Sequence, residues 1–105
     1  MTQDVFSALA DPTRRRLVAW LAIRPATATE LAKRLPISRQ AVTKHLVVLD
    51  EARLIGREHA GREVRYSLDA QPLASAVEWL ATVSTRWESR LQRMKRYVEA
   101  EERRG

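Results

Sequence analysis

The sequence predicts a mainly α-helical α+β fold in the order α-α-α-α-β-β-α, closed by one long helix, on three observations. Apolar residues recur at helical spacing through the first half of the chain, interrupted by helix-capping signals. Between residues 54 and 68 the period changes to two, with a glycine between two alternating runs. From residue 72 the helical period returns and holds to about residue 102. Helices followed by a hairpin in this order form a winged helix-turn-helix, and 105 residues suffice for one such domain, residues 1–105.

Each element has a local cause. Val5, Phe6 and Leu9 give a short amphipathic helix within residues 1–10. Asp11-Pro12 places an N-cap before a proline at the first helical position, where the missing N–H costs nothing. Leu17, Val18 and Leu21 line one face of the helix that follows, which ends near Arg24-Pro25. Thr27-Ala28-Thr29-Glu30 matches a capping box, in which the threonine and glutamate side chains satisfy exposed backbone donors reciprocally. It opens a third helix with Leu31 and Leu35 inward. Pro36 disfavours helical geometry at Leu35, and Ser38 caps a fourth helix running to about Ala52.

Residues 27–52 therefore read as a helix-turn-helix whose second helix is polar on one side. At about 100° per residue, Val42, Leu46 and Leu49 fall together and face inward. Gln40, Lys44 and Val47 lie opposite, flanked by Arg39, Ala41 and Thr43. That outward set suits a DNA major groove. Gln40 can bond adenine in bidentate fashion, and Arg39 can reach guanine or phosphate. Ala41 and Thr43 can lie against a thymine methyl, and Lys44 can neutralise a phosphate. Ser38 can cap the helix and also bond a phosphate at its N-terminus. His45 sits at the edge of the inward face, so packing and phosphate contact are both open to it.

The alternating runs, residues 54–59 and 62–68, form a hairpin over residues 54–68 with the turn expected at Ala60-Gly61. Val64, Tyr66 and Leu68 face one way, and Glu63, Arg65 and Ser67 the other. Arg57 and Arg62 are the expected nucleic-acid contacts of this wing, Arg62 foremost because it lies nearest the tip. Glu58 and Glu63 offset part of the charge, and Arg65 can pair with a glutamate across the hairpin.

In the last helix, residues 72–102, Leu73, Val77, Leu80, Ser84, Trp87, Leu91, Met94 and Val98 are spaced alternately four and three apart. This is an a/d seam with one polar break, at Ser84. One small core cannot cover a helix of about 45 Å. The seam is expected to pair with the same helix of a second subunit, helped by Val5, Phe6 and Leu9. A two-fold dimer presents two recognition helices to an inverted-repeat operator in double-stranded DNA.

Composition sets limits. The formal charge of +6 favours an anionic partner. The absence of cysteine excludes disulfides, thiolate metal sites and thiol redox sensing. No stretch approaches the roughly 20 apolar residues of a membrane span. Residues 1–5 carry no signal-peptide pattern, so the cytoplasm is the expected location. Two histidines, no cysteine and no glycine-rich phosphate loop leave no nucleophile–base set, and no enzyme, cofactor or metal site is expected. The competing functional reading is a winged helix that binds protein rather than DNA. A membrane-surface role for the arginine-rich C-terminus is disfavoured by Glu88, Glu99, Glu101 and Glu102, which suit a solvated dimer rim.

With these residues assembled, the chain resembles the ArsR/SmtB family of bacterial winged-helix repressors. Phe6-Ser7-Ala8-Leu9-Ala10-Asp11-Pro12-Thr13-Arg14 is similar to that family's first-helix signature, and residues 38–49 to its recognition helix. Ala52-Arg53-Leu54-Ile55, Arg57 and residues 61–68 are similar to its wing. The resemblance implies a homodimer that binds promoter DNA, usually repressing, and often acting on its own operon. It also implies a departure. Metal-sensing members carry cysteines within Glu-Leu-Cys-x-Cys, where this chain has Glu30-Leu31-Ala32-Lys33-Arg34. Ala32 and Arg34 cannot hold a thiophilic ion. Other members bind zinc on the last helix, which here contains no histidine. The nearest likeness is to a metal-independent branch with a tryptophan-bearing last helix, represented by Trp79 and Trp87.

Overall fold

A computed structural model describes residues 4–104. The elements are α1 (Val5–Leu9), α2 (Pro12–Ile23), β1 (Ala26–Thr27), α3 (Ala28–Ala32), α4 (Arg39–Glu51), β2 (Ile55–Ala60), β3 (Glu63–Leu68) and α5 (Gln71–Arg104). Residues 1–3 of the expected N-terminal dimerisation element lie outside the described residues. The chain divides into two units, Met1–Leu73 and Ala74–Gly105.

The capping signals act as the sequence predicts. Asp11 accepts from the Arg14 backbone N–H at 3.0 Å, ahead of Pro12 in the first turn of α2. Thr27 and Glu30 form a complete capping box. The Glu30 N–H donates to Thr27 Oγ1 at 3.2 Å, and the Thr27 N–H donates to Glu30 Oε1 at 3.0 Å. Ser38 Oγ accepts from the Ala41 N–H at 3.1 Å and starts α4.

The core of the first unit is built from Ala8, Leu17, Leu21, Leu31, Leu35, Val42, Leu46, Leu49, Leu54 and Ile55, with smaller alanines between them. Val5, Leu9, Val18, Tyr66, Leu68 and Leu73 pack against it half-buried. The stripe of Val42, Leu46 and Leu49 is almost completely buried, which fixes the rotation of α4 about its axis. Each such side chain contributes about 1.5–3 kcal/mol relative to remaining in water.

Three details differ from the sequence-based expectation. A two-residue strand, β1, pairs with β3 and completes a three-stranded antiparallel sheet in the order β1-β3-β2. Two residues carry no measurable period, so nothing in the pattern announces them. The third helix ends at Ala32, short of the Leu35-Pro36 stop. Leu35 is still buried, but from the loop, as part of the core against which half-buried Ile37 also packs. The hairpin turn is Gly61-Arg62 rather than Ala60-Gly61, because Ala60 pairs with Glu63. Gly61 takes φ +66° at the first turn position, a conformation that glycine adopts without a Cβ clash.

The end of α4 is a Schellman motif built without glycine. Arg53 sits at φ 62°, its N–H donates to Asp50 O at 2.9 Å, and the Leu54 N–H donates to Leu49 O at 3.0 Å. Leu49 and Leu54, both fully buried, supply the accompanying hydrophobic contact. This reversal delivers the chain directly into β2.

Candidate nucleic-acid interface

The first turns of α4 carry the outward set. Arg39, Gln40, Thr43 and Lys44 are exposed, Ala41 is half-buried, and Val47 is 51% exposed on the same side. Arg39, Gln40, Thr43 and Lys44 together border one shallow groove. Thr43 Oγ1 donates to Arg39 O at 3.0 Å, which ties its hydroxyl to the helix backbone. Its methyl is the part left for a neighbour, a suitable surface for a thymine methyl. Ser38 is exposed at the N-terminus of the same helix, with its hydroxyl oxygen serving as the cap.

No carboxylate among the described residues comes within 4.0 Å of Arg39, Lys44 or Arg62. Their charges are therefore not neutralised by an ion pair among the described residues. Arg57 differs, since its Nε lies 3.6 Å from Asp50 Oδ2 at the end of α4. An exposed pair of this kind contributes little to stability, but it draws Arg57 back toward its own domain.

The register explains how charge is distributed on the hairpin. Residues directly opposite share a face, so Arg57 and His59 lie with Tyr66 and Val64, while Glu58 lies opposite Arg65. Glu58 is thus the glutamate opposite Arg65 across the hairpin, but among the described residues no carboxylate lies within 4.0 Å of Arg65, so the expected ion pair is not formed. Glu63 is engaged elsewhere, accepting from Thr29 Oγ1 at 2.7 Å, which fastens α3 to the sheet. Arg62 occupies the turn itself and is exposed.

His45 is held from the other direction. Its side chain is 25% exposed, its Nδ1 lies 3.4 Å from Arg14 Nη1 and 4.0 Å from Asp11 Oδ2. Both neighbours belong to the start of α2. Asp11 is held below the ordinary carboxylate range, chiefly by the Arg14 backbone N–H, with His45 and the Arg14 charge adding to the effect against some desolvation. The periodicity of α4 placed His45 at the edge of the inward face. It could not reveal partners 31 and 34 residues away in the chain.

In the second unit, α5 exposes its apolar seam along its length. Val77, Leu80, Trp87, Leu91, Met94 and Val98 are each about half exposed or more, and Ser84 is exposed among them. Trp79 and Tyr97 widen the apolar surface, and the Arg90 guanidinium stacks 5.7 Å from the Trp87 ring centre. In the first unit Leu73, Val5 and Leu9 pack on the core, while Phe6 is 49% exposed. Among the described residues, no three His, Cys, Asp or Glu side chains are grouped to hold a metal ion, and no helix is long and apolar enough to cross a membrane.

Comparison with known proteins agrees with this geometry. A helix-turn-helix domain family matches residues 9–57. The chain is 49% identical over 70 residues to the HTH-type transcriptional regulator Rv2034 of Mycobacterium tuberculosis, covering 67% of this chain and 65% of that one. It thus spans just under two thirds of that relative's length. It is 32% identical over 77 residues to the transcriptional repressor SdpR of Bacillus subtilis, covering 73% of this chain and 86% of the relative. Among solved structures, an ArsR-like transcriptional regulator from Rhodococcus sp. RHA1 superposes with a TM-score of 0.77 at 37% identity, over 88% of this chain and 87% of that one. The crystal structure of an ArsR family transcriptional regulator, RHA00566, does so with a TM-score of 0.73 at 35% identity, over 79% and 91%. With its helix-turn-helix, its hairpin and these relatives, the chain belongs to the ArsR family of transcriptional regulators.

Proposed function

We propose that this chain is a homodimeric repressor that binds an inverted-repeat operator in double-stranded DNA and works in the cytoplasm without a bound metal or cofactor. The observation that carries the proposal is the first turns of α4, where Arg39, Gln40, Thr43 and Lys44 stand exposed over a fully buried stripe. A helix held this rigidly, with no carboxylate against its cations, suits a major groove and little else. Ser38 and Arg39 would meet phosphates at the groove edge, Gln40 and Thr43 base edges, and Lys44 the backbone. Arg62 at the hairpin tip would contact the flanking backbone or minor groove, with Arg57 in a lesser role. The exposed seam of α5 supports pairing of two subunits, with Phe6 a further contact.

Repression is the activity printed for the Bacillus relative and is carried here as part of the proposal. The test is selection of bound fragments from random-sequence DNA, followed by anisotropy measurements on the selected sequence. An enriched inverted repeat is expected. Its affinity should fall by about three to five orders of magnitude between 50 and 200 mM salt if six to ten phosphates are contacted. Failure to enrich any sequence, with the folded dimer intact, would favour the protein-binding winged helix instead.

A further inference from the structure

We propose that Arg14 is a positioning residue that couples α1 to the recognition helix α4 through His45. The inference rests on the DNA-binding reading of α4 and adds to it a device that holds that helix.

The geometry centres on one guanidinium. Arg14 Nε donates to Ala8 O at 2.6 Å and Nη2 donates to Ser7 O at 3.3 Å, engaging carbonyls of α1. Its third nitrogen, Nη1, lies 3.4 Å from His45 Nδ1 on α4. Arginine has only donors, so Nδ1 must be the acceptor, which requires a neutral imidazole with its proton on Nε2. Asp11, the N-cap of α2, completes the cluster 4.0 Å from the same nitrogen. Arg15 reinforces the corner, with Nη1 donating to Leu9 O at 2.7 Å and Ala10 O at 3.1 Å.

A single planar fork thus touches two elements with different proposed roles. The exposed Phe6 belongs to the helix whose carbonyls Arg14 holds, and His45 is one residue from Lys44. Displacing α1 would move the guanidinium, and with it the partner of His45. The stripe of Val42, Leu46 and Leu49 fixes the rotation of α4, and the Arg14–His45 contact adds a directional anchor at its midpoint.

The anchor depends on protonation. A protonated His45 has no lone pair at Nδ1, so the contact with Arg14 becomes a repulsion and the favoured neighbour becomes Asp11. Among the described residues, Asp11 and Arg14 of α2 are the charged groups facing His45. What α1 brings to the cluster is backbone carbonyls, and the neighbours of His45 one turn away on α4 are Ala41 and Leu49.

The two roles for His45 therefore differ in sign. A histidine that touches phosphate binds DNA more tightly when protonated. A histidine that serves as acceptor for Arg14 loses its link to α1 when protonated and keeps only Asp11 of α2.

The test uses the full chain and the selected operator fragment at constant ionic strength, from pH 8 to 5.5. Wild-type affinity is expected to fall about five- to tenfold across this range. His45→Gln retains a neutral acceptor and should keep near-wild-type affinity at pH 8 with the fall removed. His59→Gln should leave it in place, which isolates His45 because the chain has two histidines. Arg14→Lys keeps the charge but cannot bridge both helices, so affinity should drop about fivefold at pH 8 with the salt dependence unchanged. Each variant is measured below its own unfolding transition, so that a loss of fold is not read as a loss of positioning. An affinity that rises on acidification, or an Arg14→Lys chain that binds like wild type, overturns the coupling and leaves the DNA reading intact. A wild-type chain that binds no DNA overturns both.

Discussion

Replacing Arg53 by glycine should make this protein more stable, because it relieves a backbone conformation that disfavours any side chain. Arg53 ends α4 in the left-handed region at φ 62°, where a Cβ crowds the backbone. The conformation is imposed by its neighbours. Leu54 must turn back to place its side chain in the core beside Leu49, and the two hydrogen bonds of 2.9 and 3.0 Å hold the reversal. An L-residue at such a φ costs about 1–2 kcal/mol, and glycine returns some of that through its freer unfolded chain. The net gain expected for Arg53→Gly is about 1 kcal/mol. Arg53 is exposed, with no ion pair or side-chain hydrogen bond among the described residues, so removing its side chain breaks no contact within the chain.

Urea unfolding followed by circular dichroism, at one fixed protomer concentration, measures the effect. The midpoint should rise by about 0.5 M for a slope near 2 kcal/mol/M. Fixing the concentration matters because the proposed subunit association would contribute to apparent stability. Arg53→Val is the opposing control. A β-branched residue resists this region more strongly than arginine, so its midpoint should fall. If the glycine variant is neutral or less stable, the motif is not strained and the account of how α4 hands the chain to β2 is wrong.

Gln40→Ala should relax base preference at one operator position, at a cost of about 1–3 kcal/mol for the preferred base. Lys44→Ala should weaken all sequences alike and lower the slope of log affinity against log salt by about one; equal effects from both would refute that division. Leu91→Glu should leave the first unit folded but abolish subunit pairing, which sedimentation at micromolar concentration would show as a single chain; a persistent dimer would place the interface elsewhere. Stability should decline in acid. Asp11 and Glu30 are both held below the ordinary carboxylate range, Glu30 chiefly by the Thr27 backbone N–H and then its hydroxyl. Their contribution is complete above the unfolded value near about 4 and is lost as pH falls through the lower folded values. Urea midpoints from pH 6 to 2.5 should therefore flatten in an Asp11→Asn, Glu30→Gln double variant, and an unchanged profile would contradict the assignment.

Much of this protein is local. Asp11-Pro12, the Thr27–Glu30 box and Ser38 act within one turn of their own backbone, and each formed its cap where the residues alone indicate. The inward stripe of α4 and its exposed opposite side follow from a 3.6-residue period combined with burial, so the candidate DNA-facing residues were legible before any coordinates. The seam of α5 follows from period alone, since none of its residues is buried within the chain.

What required the tertiary structure depends on residues far apart in the chain. β1 is a strand only because Ala26 and Thr27 reach Tyr66 and Arg65 of β3. The hairpin turn shifted by one residue because pairing from Ile55–Leu68 up to Ala60–Glu63 sets the register, and the glycine then took the position where positive φ is needed. Proximity to the tip already ranks Arg62 above Arg57, but only the fold brings Asp50 to Arg57 while no carboxylate among the described residues comes within 4.0 Å of Arg62. His45 is the sharpest case. Period alone left it between packing and phosphate contact, and only the fold sets Arg14 and Asp11 of α2 beside it. Capping and periodicity are encoded within a few residues because backbone geometry repeats over that distance. Side-chain partners are chosen by packing, which brings together residues the sequence keeps apart.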